Sequence, residues 1–360
     1  MGPLSGVRVV EMAGLAPVPF GGMILADLGA DVVRIDRPGG SAITPPPGPV
    51  DRGKRSLTID LKDPAGLASV RALAEKADVF VEGFRPGVAE KVGIGPADLT
   101  AANPQLVYVR VTGWGQEGPL APRAGHDINY IGLTGALSLI GRAGERPVPP
   151  GVLLGDLASG GMLMAMGVMA ALYERERSGV GQVIDSAIID GASMMMAFYH
   201  GLREGGLYEN PRGENLLDGG RSFYDTYETA DGQYVSVGPI EPQFHAQLVA
   251  ALEIDDEDLS VYLDPAGDKA WRDVLTAKFL TKTRDEWSEV FDGVDACVAP
   301  VLSPWEAHEH PHNVARNSHI DVGGLVQPAP APRFTRTPAD TPKPLGDCGS
   351  DAAAVVAGWA

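Results

Sequence analysis

The chain has 360 residues, 44% hydrophobic and 21% charged, with a formal net charge of −18. This is ordinary globular composition, long enough for about two domains. The acidic excess argues against non-specific nucleic-acid binding and against docking on anionic lipid.

In chain order, Gly6–Glu11 reads as a strand. A Pro/Gly-rich loop, a helix over 21–29 ended by Gly29, and the strand "DVVRID" (31–36) follow. Strand, helix, strand at this spacing is a βαβ unit. The alternation continues with a Pro-rich loop (39–50), a strand (55–61), a helix (64–76), a strand (78–84), a helix (86–92) and a strand (106–111). Short continuous apolar runs of this kind suit parallel strands buried on both faces. A doubly wound, mostly parallel, Rossmann-like α/β sheet is expected.

Beyond 111 the pattern changes. Helices are expected over 127–140 and 156–177, then the strand "GQVIDSAI" and a Met-rich helix over 188–203. Residues 206–222 read as a polar, Gly-rich linker. Residues 223–238 read as a hairpin around Ala230-Asp231-Gly232. Helices over 241–252, 268–280 and 284–292 follow, the last opened by the capping box Thr283–Glu286, then a strand over 295–303. The expected organisation is a large α/β domain over 1–185, a linker over 186–225, a smaller α+β domain over 226–325, and a C-terminal extension over 326–360 with a short terminal helix.

The two cysteines, Cys297 and Cys348, show no metal-ligand spacing, so neither a disulfide framework nor a metal site is expected. The first residues lack a signal-peptide pattern, no run approaches 18 apolar residues, and the C-terminus carries no peroxisomal signal. The expectation is a cytoplasmic protein with no nucleic-acid or membrane partner.

Gly113-Trp-Gly-Gln-Glu-Gly118 matches a dinucleotide-binding pattern, but Pro119 follows where a helix should open, so it is read as a loop. Between Arg34 and Lys91 there are ten Lys/Arg against eight Asp/Glu, in a chain with 29 against 47. Arg37, Lys54, Arg55, Lys62, Arg85 and Lys91 in this stretch suit a small polyphosphate, because ligands of open α/β sheets bind at strand ends. The methionine bursts at 162–169 and 194–196 read first as core filling. Asp127 is expected to cap the helix that follows it, which leaves His126 without a structural role. Asp156 opens the next helix, with Gly155 and Ala158-Ser-Gly-Gly161 allowing close backbone approach.

These residues carry a resemblance. "AGLAPVPFGGMILADLGADVVRIDRPG", "TGWGQEGP", "AGHDINYIGLTG", "RPVPP…GD" and "GVGQVIDSAIIDG" together resemble the α-methylacyl-CoA racemases, within the broader CoA-transferase III family. The match runs along essentially the whole chain. The histidine of "AGHDINYIGLTG" is the more specific signal, because the transferases usually lack it. The resemblance implies an interlocked homodimer, with each active site built from the large domain of one chain and the small domain of the other. It implies inversion at C2 of a 2-methylacyl-CoA thioester through an enolate, with His126 and Asp156 as opposed acid/base groups. Glu241 in "GPIEPQF" would support His126, and the Asp127 N–H would hold the enolate oxygen. Arg37, Lys62 and Lys91 would be the foremost CoA contacts, with Lys54, Arg55 and Arg85 behind them. Met194, Met195 and Met196 become a candidate acyl surface. Coenzyme A is part of the substrate, and no separate cofactor is implied.

One departure stands out. "PVPPGVLLGD" has Val152 where the family commonly has Asn, which removes a polar neighbour of Asp156 and favours a higher pKa there. The alternative within the family is a CoA-transferase with Asp156 as nucleophile. A non-catalytic acyl-CoA-binding protein and an NAD enzyme are further readings, the last resting on the glycine pattern alone.

Overall fold

The structure is a computed structural model that describes residues 2–40, 48–254, 267–349 and 351–359. The Pro-rich loop expected over 39–50 lies partly outside these. The chain divides into two units: residues 1–134, 150–195 and 311–360 form one, and residues 135–149 and 196–310 form the other. The boundaries therefore differ from those expected at 185 and 325. Residues 135–149 group with the second unit, and the small unit ends at 310.

In the first unit the chain runs β1 (Arg8–Met12), α1 (Pro17–Asp27), β2 (Asp31–Asp36), β3 (Arg55–Thr58), α2 (Pro64–Lys76), β4 (Val79–Glu82), α3 (Val88–Val92), α4 (Pro96–Ala102), β5 (Val107–Thr112) and α5 (Asp127–Leu133). A π-helical segment, Leu153–Met162, leads directly into α6 (Leu163–Ser178), then β6 (Val183–Ala187) and α7 (Ile188–Glu204), whose residues from 196 onward belong to the second unit. The strands pair in the order β3-β2-β1-β4-β5-β6, all in parallel. The order reverses between β1 and β4, and the crevice at such a reversal, beyond the strand C-termini, is where doubly wound sheets place ligands.

Alternation along each strand builds two cores. Val10, Val33, Phe80 and Tyr108 face α2 and join Val70 and Leu73. Their neighbours Val9, Val32, Val81 and Val109 face the other way, onto Leu25 of α1 and Met164, Val168 and Leu172 of α6. Each such fully buried side chain contributes about 1.5–3 kcal/mol. Local chemistry sets the ends. Asp63 caps α2, accepting from the Ala65 N–H at 3.2 Å, with Pro64 at the first helical position. Gly179, at φ 73°, closes α6 in the left-handed conformation.

The helix Leu153–Ser178 is, by length and composition alone, long and apolar enough to cross a membrane, although Asp156 and Ser159 interrupt its apolar run. Its Met164, Ala165, Val168, Ala171 and Leu172 are buried against the sheet, as in a core helix of a globular unit. The core role expected for the methionine burst holds for Met164, while Met162 and Met166 are more than half exposed.

The second unit contains β7 (Asp225–Glu228), β8 (Tyr234–Val237), α8 (Pro242–Ala251), α9 (Asp268–Phe279), α10 (Arg284–Val290) and β9 (Val298–Pro300). The three strands form an antiparallel sheet packed on Leu248, Trp271, Leu275, Phe279 and Trp287. Residues 206–222 are no plain linker. The Asp218 carboxylate accepts from Gly213 N–H, Asn215 N–H and Tyr208 O–H at 2.8, 2.8 and 2.9 Å, which ties this stretch into an ordered knot and holds that carboxyl below its usual range.

The chain then re-enters the first unit with α11 (Pro311–Ala315), a hairpin of β10 (His319–Val322) and β11 (Leu325–Pro328), β12 (Gly346–Asp347) and α12 (Ala352–Gly358). β12 adds a seventh parallel strand beside β3, covering an edge that would otherwise offer unpaired backbone groups.

Candidate active site

His126 and Asp127 open α5, in the loop region beyond the C-terminal end of β5. The N-cap is His126, not Asp127: His126 has extended backbone (φ −135°, ψ 172°), and its N–H donates to Asn129 Oδ1 at 3.1 Å. Its imidazole is exposed. The helix is seated by Tyr130, whose hydroxyl donates to the Gly125 carbonyl at 2.5 Å and whose ring meets Trp114 edge-on at 4.7 Å. A Cβ at Gly113 would lie 2.0 Å from the Tyr130 ring. Gly113 thus leaves room for the aromatic anchor, and Gly115 and Gly118 take positive φ of 86° and 91°, which accounts for the pattern without a dinucleotide.

Asp127 takes a different task. It is 4% exposed, and its Oδ2 accepts the Asp156 backbone N–H at 2.7 Å. The residue that precedes the π-helical segment, Val152, offers no side-chain cap, so Asp127 satisfies an amide that the helix start leaves free. The segment is wide: the Leu157 N–H reaches the Val152 carbonyl at 3.1 Å, and the Ser159 hydroxyl donates to the Leu154 carbonyl at 2.7 Å. Gly160 and Gly161 let α1 approach it; a Cβ at Gly161 would lie 2.8 Å from the Pro17 carbonyl oxygen.

These contacts bring His126, Asp127 and Asp156 together. Desolvation, and then the neighbouring Asp127 charge, push Asp156 up to about 6, against a smaller downward pull from His126. Near neutrality the Asp156 carboxyl is therefore available both as acid and as base. Burial, followed by the Asp156 charge, also pushes the Tyr130 hydroxyl up to about 12, and Arg85 opposes this. Arg85 thus belongs to the same neighbourhood.

The cationic candidates separate by strand end. Arg37 follows the C-terminal end of β2, Lys62 that of β3, and Arg85 and Lys91 that of β4; all four are exposed. The Arg37 Nε donates to the Gly40 carbonyl. The loop carrying Arg85 is braced from below: Glu82 accepts from the Phe84 N–H at 2.6 Å and pairs with Arg110 at 3.1 Å, and Arg110 reaches Glu90 of α3 at 2.8 Å. Burial pushes Glu82 up to about 7 despite these partners.

Lys54 and Arg55 are corrected. Both sit at the N-terminal end of β3, away from the strand ends that face the crevice. Lys54 is 2% exposed and engaged with Glu11, so no ligand phosphate reaches it. Arg55 pairs with Asp31 at 2.6 Å, and Trp359 shares that carboxylate.

On α7, Met194 is exposed and Met195 and Met196 are half-buried. Glu241 belongs to the second unit, where it is exposed at the start of α8. A cavity of about 610 Å³ in that unit, lined by Ile140, Tyr224, Val237, Gly238 and Cys297 among others, holds none of the expected acid/base groups. Among the described residues no cluster of His, Cys, Asp and Glu is arranged to hold a metal. Sequence reasoning missed Tyr130 and assigned the Asp127 carboxylate to its own helix instead of to the Asp156 amide. The aromatic within the "GHDINY" run and the glycine at 155 are the signals that pointed to them.

Comparison with known proteins identifies the family. The family model described as CoA-transferase family III matches residues 4–352. The chain is 48% identical to "Alpha-methylacyl-CoA racemase" of Mus musculus over 337 residues, 93% of this chain and 87% of that protein. It is 47% identical to the Homo sapiens protein of the same name, with the same coverage. A crystal structure of a CAIB/BAIF family protein from Brucella suis superposes with a TM-score of 0.86 at 29% identity, covering both chains fully. The chain belongs to CoA-transferase family III.

Proposed function

We propose that this chain is an isomerase that inverts C2 of 2-methylacyl-CoA thioesters. The observation that carries the reading is the meeting of His126 and Asp156 at the Asp127 junction, with Asp156 held at about 6. The similarity to α-methylacyl-CoA racemases over 93% of the chain supports it.

Inversion without redox chemistry needs one group to remove the C2 proton and a second to deliver a proton from the other face. His126 and Asp156 take these roles and exchange them with the direction of reaction. In one direction ionised Asp156 takes the proton, electrons move from the C–H bond into the thioester carbonyl, and protonated His126 returns a proton to C2. The enolate oxygen would be held by the first amide of α5, that of Asp127. Arg37, Lys62 and Lys91, with Arg85 beside the acid/base pair, would meet the phosphates and pantetheine of coenzyme A, which enters as part of the substrate. Met194, Met195 and Met196 would offer the acyl chain a pliable apolar surface. Glu241, from the small domain of a partner chain, would support His126, so the working form is a homodimer, in which chains interlock. A cytoplasmic setting is part of the same reading and rests on composition.

The test is proton NMR of the purified protein with an enantiopure 2-methylacyl-CoA in D₂O. Loss of the C2 proton signal together with loss of optical purity, at constant thioester, is expected. A second reading, CoA transfer with Asp156 as nucleophile, follows from the family to which the chain belongs. It would show no C2 exchange, and CoA would move to an added carboxylate.

A further inference from the structure

We infer that the Asp127 carboxylate is a positioning residue for Asp156: it fixes the Asp156 backbone from a separate helix and sets a second negative charge beside the acid/base group. This rests on the reading of Asp156 as one of the two proton carriers. It assigns to Asp127 a side-chain role beyond that of its backbone amide.

Three observations carry it. First, residues 29 apart in sequence are joined by one hydrogen bond, Asp156 N–H to Asp127 Oδ2, at 2.7 Å. Second, the junction is fitted to that bond. A Cβ at Gly155 would lie 2.4 Å from Asp127 Oδ2, so a side chain at 155 and the Asp127 carboxylate cannot both occupy the space. Third, Asp127 is 4% exposed, yet its Oδ1 has no hydrogen-bond partner among the described residues. Leaving a buried carboxylate oxygen unpaired is costly. Capping alone would be served by a neutral acceptor such as an Asn side chain. The feature an Asn cannot supply is the charge.

The effect of that charge follows from Coulomb's law at short range and low effective dielectric. A carboxyl that faces another negative charge in a partly dry site resists ionisation, so the proton stays longer on Asp156. The other groups facing Asp156 are His126, which opposes Asp127, and the neutral Tyr130 hydroxyl, with Arg85 beyond it. Asp127 is the one neighbour among these whose charge favours the protonated form. It therefore makes Asp156 a stronger base and keeps it reloadable as an acid near neutral pH.

The experiment compares the full-length protein with its D127N and D127A variants. Carbon-13 NMR of protein labelled at the aspartate carboxyl carbons gives the Asp156 titration directly, with the resonance assigned by its loss in D156N. In D127N the Asp156 midpoint should fall by about one pH unit, a tenfold weaker hold on the proton. The acid limb of the pH–rate profile should move with it, while KM changes less than twofold. D127A, which also removes the acceptor for the Asp156 amide, should lower kcat further than D127N. An unmoved Asp156 midpoint in folded D127N would overturn the inference, whatever the rate. If D127N fails to fold, G155A gives a second readout, because its Cβ would lie 2.4 Å from Asp127 Oδ2. A lowered Asp156 midpoint is expected there too, and an unmoved one would overturn the inference. Because the titration needs no turnover, it stays readable if no C2 exchange is found. In that case the racemase reading fails and the Asp127 effect is judged separately.

Discussion

The Lys54 Nζ lies 2.9 Å from both carboxylate oxygens of Glu11 and 2.8 Å from the Pro19 carbonyl, in a fully buried site. One ammonium therefore ties β1, the start of β3 and α1 together. Burial still pushes Glu11 above its ordinary range, against the pull of Lys54. Removing one partner leaves the other unpaired. K54M alone should destabilise by about 3–5 kcal/mol, while the apolar pair E11L/K54M should recover most of that loss. Urea denaturation of the three proteins checks this. The folded double variant should keep the KM of the parent for a CoA thioester, since Lys54 does not reach the ligand.

Asp156 links stability to activity through pH. Its carboxyl is raised from 3.8 to about 6 in the folded chain. Below the unfolded value it is protonated in both states and the cost is absent. As pH rises through about 6 the cost becomes fully present. D156N should therefore be the more stable protein above pH 6, by about 1–2 kcal/mol once solvent screening is discounted, and should lose this advantage near pH 4. Denaturation midpoints at the two pH values measure it. D156N should also abolish C2 exchange. In the unsubstituted protein, exchange from the enantiomer whose proton Asp156 removes should fall tenfold per unit well below pH 6.

The cationic residues should sort by strand end. Substituting Arg37, Lys62 or Lys91 by Ala should raise KM for the thioester about three- to tenfold each, as expected for partly screened charges on a phosphate, with little change in kcat. R55A should leave KM alone, because its partner Asp31 lies at the opposite end of the strands. Steady-state kinetics at low salt, where the differences are largest, would separate the two groups.

G161A tests the approach of α1 to the π-helical segment. Its Cβ would lie 2.7 Å from Phe20 Cδ1 and 2.8 Å from the Pro17 carbonyl oxygen. Overpacking of this kind costs about 1–3 kcal/mol. The variant should unfold earlier and exchange C2 protons more slowly than its stability alone explains, because the shift is passed along the segment to Asp156.

Much of the fold was legible because parallel strands announce themselves as short apolar runs. β2 and α2 lie where their periodicity puts them, Asp31–Asp36 and Pro64–Lys76. Other features were not, for identifiable reasons. The hairpin Leu325–Pro328 on His319–Val322 turns at Gly323-Gly324, a Gly-Gly signal hidden in a Pro-rich surround. The excess of Lys and Arg was read correctly as a stretch, but charge density carries no information about which end of a strand a residue occupies. Lys54 and Arg55 fell to the wrong end for that reason. Asp127 was read as the cap of its own helix. Its actual partner, the Asp156 amide, is 29 residues away, and no local pattern encodes a cap supplied from another element. His126 and Asp156 were found by resemblance. Their meeting place was visible only in three dimensions.

The π-helical stretch has a consequence for insertions and deletions. A continuous helix fixes the bearing of every side chain once one face is anchored, at about 100° per residue. Here the anchor is Met164, Ala165 and Val168 against the sheet, and the π-helical turns of Leu153–Met162 run from that anchor back through Asp156 to the junction with α5. Deleting a single residue such as Ala158 would let the segment regularise to an α-helix. A π-helical turn already holds about one residue more than an α-helical one, so the deletion would be absorbed there and the Asp156 carboxylate would keep its bearing toward His126. The same deletion within α6, where each residue turns the chain by about 100°, would swing the whole segment ahead of it away from His126.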